Sequence, residues 1–329
     1  MVAILEDILE ARTRGLDWLL KMRNPDGSIG PYEKGLFYYR VPWAFAVTGR
    51  DREASMLLQW IRENMFTEEG DFAGKYSRGD WVRYYYSYPN ANIIYGAHIL
   101  RQFDLSYKGM RFLLTLQDRE SGGFFDEMSE EGPCGEEDIW CSSQAGLTCL
   151  VTGHVKEAEL VASFLEMIYE SQPDIAHRLY HVYSPGKGLV TEFPEEKAKA
   201  YYVDAEKPKQ WYFMPGIASA FLCRMYMATG KSRYLELAEK YMEFAMRCKY
   251  LFSAPQVCKV GWGAALLYQV TRDHRYYGLA ARVADYFIEH QYPEGYWINV
   301  APYRELPHII EITAEFVVHL DTILCALTT

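Results

Sequence analysis

Along most of the chain, stretches with almost no charge alternate with stretches in which apolar residues recur every three or four positions. Gly135 to Leu165 shows both: three acids, Glu136, Glu137 and Asp138, lead into a nearly uncharged run from Trp140 to Val151. A Thr152-Gly153 turn follows, and then Ala158, Val161, Ala162 and Leu165 share one stripe of a second helix. A helix apolar all round is covered on every side, whereas one with a single apolar stripe shows water its other face. The pair predicts a buried inner helix followed by an outer one.

The pattern repeats. The turn VTG at Val47 returns as VTG at Val151, ATG at Ala228 and VTR at Val270, each time between an apolar and an amphipathic helix. Glycine ends such helices because it adopts the left-handed cap geometry that side chains resist. A second motif marks the far ends of the outer helices: WLLKMRNPDGSIG from Trp18, FLLTLQDRESGGFF from Phe112 and FIEHQYPEGYW from Phe287, with a looser copy, WIRENMFTEEGDF, from Trp60. Together the repeats place outer helices near 2–22, 51–64, 107–117, 155–171, 232–247 and 274–290. Inner helices fall near 37–48, 90–103, 138–152, 211–229, 257–271 and 308–327. The expectation is an all-α (α/α)6 toroid, one domain over 1–329, closed by the first outer helix against the last inner one. The unit at Asn90 to Gln117 departs, since its turn at Phe103 to Ser106 holds no glycine.

Inner-to-outer connections are short, and outer-to-inner connections are long. All the long ones emerge on one rim, which is where a site is expected. The longest, 172–210, is a candidate lid.

Composition narrows the function. The formal charge is -10 with Lys and Arg scattered, which argues against a nucleic-acid groove. No uncharged run approaches the roughly 20 residues of a membrane span, and the opening MVAILEDILEARTRG lacks a basic start, so a cytoplasmic protein without a membrane partner is expected. The 7 cysteines show no CxxC pair, and no phosphate loop, GxSxG or dinucleotide fingerprint occurs. Neither a metal nor a cofactor is expected. The 27 tyrosines and 8 tryptophans have polar tips that need partners when buried, so some should line a cavity.

A charged residue in the body of an inner helix either lines that cavity or must be paired. Glu136, Glu137 and Asp138 at an inner-helix start repel one another, which raises proton affinity and suits a proton donor, although acids there also cap helices. Glu311 and Glu315 share one face of the last inner helix; with Lys259 they make either a buried ion pair or an axial acid or base. Tyr39, Tyr86, Tyr88, Trp140, Trp211, Trp262, Trp297 and Tyr303 are the expected substrate walls, and Asn92, Arg40 and Arg83 the expected holders of a polar group. His98, His181 and His308 stand alone without metal-ligand spacing, and they and Cys141 are expected to pack.

The helix-Gln-Gly-aromatic motifs resemble the repeats of the α/α toroid superfamily of terpenoid cyclases and protein prenyltransferases across nearly the whole chain. Turns such as ATGKSRYLELAEKYMEF are equally similar to six-hairpin carbohydrate enzymes. The cyclase Asp-x-Asp-Asp acid is not matched by Glu136-Glu137-Asp138, and the prenyltransferase zinc set is not reproduced by Asp138 and Cys141. The resemblance implies a cofactor-free acid-base cyclase, isomerase or lyase on a small, largely apolar terpenoid-like or polyketide-like molecule. The alternatives are a carbohydrate-active enzyme with paired carboxylates (an epimerase, uronyl hydrolase or glycosidase) and a non-catalytic binding toroid.

Overall fold

The computed structural model describes residues 2–32, 36–75, 85–299 and 304–328, with side chains in the first helix from Leu5 onward. Twelve α-helices alternate among the described residues. The outer ones are α1 (Val2–Lys21), α3 (Asp51–Asn64), α5 (Phe103–Leu113), α7 (Val155–Glu170), α9 (Ser232–Arg247) and α11 (His274–Glu289). The inner ones are α2 (Val41–Val47), α4 (Ser87–Ile99), α6 (Ile139–Val151), α8 (Phe213–Thr229), α10 (Cys258–Thr271) and α12 (Leu306–Leu327). Each inner helix packs on the next, and α12 packs on α2, so the inner ring closes. The outer helix α1 lies against α12 and α11 and seals the seam. The fold is an (α/α)6 toroid.

Two repeated devices build it. At the short turns a left-handed residue ends the inner helix: Gly49, Gly153 and Gly230, with Arg101 and Arg272 at φ 59° and 61° in the same slot. The unit without a turn glycine therefore keeps the geometry at a cost of about 1 kcal/mol, and its outer helix starts at Phe103, not 107.

At the other end, a glycine after the outer helix meets the backbone of the next outer helix. A Cβ at Gly27, Gly70, Gly122 or Gly295 would fall against the carbonyl of Met56, Lys108, Leu160 or Arg14. Gln117 Nε2 ties this turn to α7 by donating to the carbonyls of Gly122 (3.1 Å) and Glu157 (3.0 Å). Gln291 repeats this with Gly295 and Ala11, both at 2.8 Å, and so fastens the end of α11 to α1. The looser copy ending in Gly70 belongs to the same set.

The long connections carry the strands. β1 (Phe125–Met128), β2 (Pro133–Asp138), β4 (Val182–Ser184) and β5 (Gly188–Leu189) form one antiparallel sheet, and β3 (Arg178–Tyr180) pairs with β6 (Tyr202–Asp204). The 172–210 excursion is thus ordered and hydrogen bonded to the rim, with Asp138 facing Val182 and Glu137 facing Tyr183. No helix among the described residues is long and apolar enough to cross a membrane.

Candidate functional site

The axis is organised around one carboxylate. Glu315 of α12 pairs through one oxygen with Arg40, at the start of α2, and through the other with Lys259 of α10. Arg40, 1% exposed, also donates to the Tyr88 hydroxyl and, through Nε at 3.3 Å, to Asn92 Oδ1 on α4. Cys258 Sγ (3.2 Å) and His319 Nε2 (3.3 Å) complete the shell of Glu315. The Lys259 ammonium faces three rings, with centroids 5.1 Å (Phe213), 5.7 Å (Trp140) and 5.9 Å (Tyr88) away.

Charge states follow from these contacts. Burial alone would raise the Glu315 pKa, but Arg40 and Lys259 overcome it and hold the carboxyl well below its ordinary value. Burial works against the Lys259 charge too, and Glu315 together with Tyr88 and Cys258 outweighs it, so the lysine stays protonated and is no nucleophile. Its position depends on Gly216 of α8, where any side chain would run into the backbone of Lys259 and Val260. The close approach of α8 and α10 sets Lys259 beside Phe213.

On the rim side of this network lies a cavity of about 90 Å³, with Trp140, Phe213, Gln256, Lys259, Asn299 and Glu311 in its wall. Glu311 stands one turn before Glu315. Its Oε1 accepts from the Tyr39 hydroxyl at 2.6 Å, and its Oε2 is 4.0 Å from His308 Nδ1. Gln256 Nε2 donates to Asn299 Oδ1 at 3.1 Å. On the other side Trp262 stacks on His319 (5.0 Å) and meets Trp43 (5.9 Å). α2 and α10 are not ring neighbours, so this last contact crosses the axis and closes it. A larger cavity, about 650 Å³, sits at the short-turn end beside Trp43, Tyr95 and Arg101. Its charged residues, Asp51 and Arg101, are exposed, so the buried chemistry belongs to the smaller cavity.

The acids before α6 divide. Glu136 and Glu137 lie on strand β2, and only Asp138 starts the helix, its Oδ1 accepting from Cys141 N–H at 2.7 Å. Glu137 is placed away from the axis, beside Ser121, Gly123 and Phe164 of α7, because the strand alternates its faces. Burial lifts its pKa to about 8, against the Ser121 hydrogen bond. Asp138 rises to about 6 through burial, and Asp126 on β1, which the sequence reading missed, rises to about 9 through burial and the Asp138 charge. Glu136 is half-buried, and burial raises it too, opposed by a Tyr201 hydrogen bond.

Other expected wall residues lie elsewhere. Trp297 is core, its Nε1 donating to the Phe287 carbonyl at 2.8 Å, because its ring fills the space over Gly15. Tyr86 turns outward to Asp71 and Phe112. Trp262 plugs the axis and does not line the cavity, while Trp211 stacks on Phe213 (5.6 Å) at the rim. Arg83 and Tyr303 lie outside the described residues. His319 was legible one turn beyond Glu315; Gln256, Asn299 and Asp126 sit in connections whose course no periodicity marks.

Cys258, Glu315 and His319 bring their donor atoms within 4.8 Å, a spacing that would suit a metal. The fit fails on charge: Glu315 already carries two buried cations, and a divalent ion would stand beside both.

No family model and no curated protein sequence matches the chain. Solved structures do. A D-mannose isomerase superposes with TM-score 0.71 at 12% identity, covering 94% of this chain and 96% of that one. The type II terpene cyclase MstE from Scytonema, in complex with geranylgeranyl dihydroxybenzoate, gives 0.67 at 12% identity over 99% of both chains. A GH76 alpha-mannanase from Bacteroides thetaiotaomicron gives 0.66 at 11% identity over 98% and 97%. At these identities the likeness is one of fold.

Proposed function

We propose that this protein is an acid-base enzyme acting on a small hydroxylated carbonyl compound, a single sugar in ring or open-chain form. The observation that carries the reading is Glu311: a carboxylate in the wall of a small cavity, with one oxygen held by Tyr39 and the other turned toward His308. Glu311 takes the proton from the carbon beside the carbonyl, and the electron pair moves onto the carbonyl oxygen. The Lys259 ammonium steadies that oxyanion without giving up its own proton. Return of the proton to the former carbonyl carbon, with the adjacent hydroxyl giving its proton to the oxyanion and becoming the new carbonyl, isomerises the substrate; delivery of a proton to the opposite face of the original carbon epimerises it. Trp140 and Phe213 offer faces for C–H bonds, and Gln256 and Asn299 offer planar amides for hydroxyls. A mannose isomerase among the superposable structures supports this choice.

The test is exchange in D2O: a panel of aldoses and ketoses incubated with the protein and followed by proton NMR. Glu311→Gln should slow exchange by at least about 100-fold with unfolding unchanged. A wild type inert toward the whole panel, or a fully active Glu311→Gln, overturns the reading.

Cyclisation of a terpenoid-like substrate is the second reading. The three aromatic faces around the Lys259 ammonium favour it, since such walls also stabilise carbocations, and Asp138 with Asp126 would supply the proton. A polyprenyl chain exceeds the cavity of about 90 Å³ by far more than a single sugar does, which is why it ranks second.

A further inference from the structure

His181 lies between β3 and β4 in the candidate lid and is 1% exposed. Its backbone is pinned twice: the N–H donates to the Tyr201 carbonyl at 3.0 Å, and the carbonyl accepts from Ile139 N–H at 3.1 Å. Its imidazole is not satisfied, for neither ring nitrogen has a hydrogen-bond partner beyond the residue's own backbone. Burial pulls its pKa down to about 3, so the ring is neutral, with one N–H donor and one bare acceptor. Folded proteins rarely leave such atoms sealed from water without a partner.

The ring's neighbours point to where a partner comes from. His181 stacks on Trp211, with centroids 6.1 Å apart and planes at 28°. Trp211 in turn stacks on Phe213 at 5.6 Å and 26°, and Phe213 is part of the axial cavity wall. Three successive rings thus lead from the lid to the cavity that Lys259 and Glu311 line.

We propose that the absent partner is the substrate: His181 is a substrate-binding residue of the axial site, reached by a substrate hydroxyl when Trp211 and Phe213 slide apart on ligand entry. The chemistry of that ligand rests on the sugar reading above. A hydroxyl can donate or accept, so sugar hydroxyls fit either nitrogen of a neutral imidazole; an anion would use only the N–H and a cation only the bare nitrogen.

The experiment compares the full-length wild type with His181→Phe, which keeps the ring's bulk and its stacking and removes both nitrogens. Binding of D-mannose, D-glucose and D-fructose is measured by calorimetry, and the imidazole is followed by 15N NMR on histidine-labelled protein. For any sugar that binds, the expected results are a His181 ring resonance that moves on saturation, a Kd at least about 10-fold weaker in His181→Phe, and a melting temperature in that variant no lower than wild type. Equal affinity, or a melting temperature well below wild type, overturns the proposal, because the ring would then be serving the fold. If no sugar binds the wild type, the sugar reading falls by itself, and a crystal structure of the free protein decides the rest. A water bonded at both ring nitrogens would sink the His181 assignment, and a dry ring would sustain it.

Discussion

Two groups of buried carboxyls stand at the long-loop end of this toroid, and burial treats them in opposite ways. Glu315 on the axis is buried, yet it is held ionised because two inner helices each bring it a cation. Asp126, Glu137 and Asp138, around the β1–β2 hairpin, meet hydroxyls and backbone N–H groups but, among the described residues, no basic side chain close enough to pair, so burial raises all three. The lesson concerns reading acids from sequence. A run of three carboxylates draws the eye, but adjacency along a strand sends neighbours to opposite faces. A lone pair one helical turn apart, faced by a lysine on the preceding inner helix, is the stronger signal.

The comparison can be broken from the cationic side first. Lys259→Met leaves Glu315 with one counter-ion and should cost about 3–5 kcal/mol of stability in urea denaturation. A loss under 1 kcal/mol would mean that Arg40 alone suffices. The hairpin acids should respond to pH instead. Glu137 has a folded pKa above its unfolded one, so its contribution to stability is full in acid and drains away as pH climbs through about 8. Glu137→Gln should therefore flatten the decline between pH 5 and pH 9, gaining about 1–2 kcal/mol at the alkaline end and nothing at the acid end. A parallel pH profile in the variant would show that the carboxyl is charged throughout. The smallest effect belongs to Asp138→Asn. Asparagine caps a helix about as well as aspartate, so stability should stay within about 0.5 kcal/mol, while the Asp126 titration, followed by carboxyl 13C shifts, moves down from about 9. An unmoved Asp126 would separate the two carboxyls.

The architecture was legible because it is periodic. Turn glycines at 49, 153 and 230 and the Gln117 and Gln291 motifs carry the ring in local spacing, and helix bounds follow within a few residues. Two starts are displaced by four residues: α2 begins at Val41, not 37, with Pro42 in its first turn, and α5 at Phe103, not 107, where Arg101 does in the left-handed region what glycine does elsewhere. The site was legible only where it sits on helices. Glu311, Glu315 and Lys259 could be placed on a face, and Tyr39, Arg40 and Tyr88 at the right end. Trp297 was misplaced because a loop aromatic has no period to say whether it turns to the axis or to the wall. Asp126 was passed over for the same reason: its direction is set by a strand pairing within a connection.

The seams between outer helices have an evolutionary corollary. Gly27, Gly70, Gly122 and Gly295 press on the main chain of residues as unlike as Met56, Lys108, Leu160 and Arg14. A junction set by main-chain carbonyls and the first carbons of a side chain constrains the rest of that side chain little. Substitutions can accumulate over the outside of such a ring without prying it open, and a shape shared at one residue in eight is what that indifference permits.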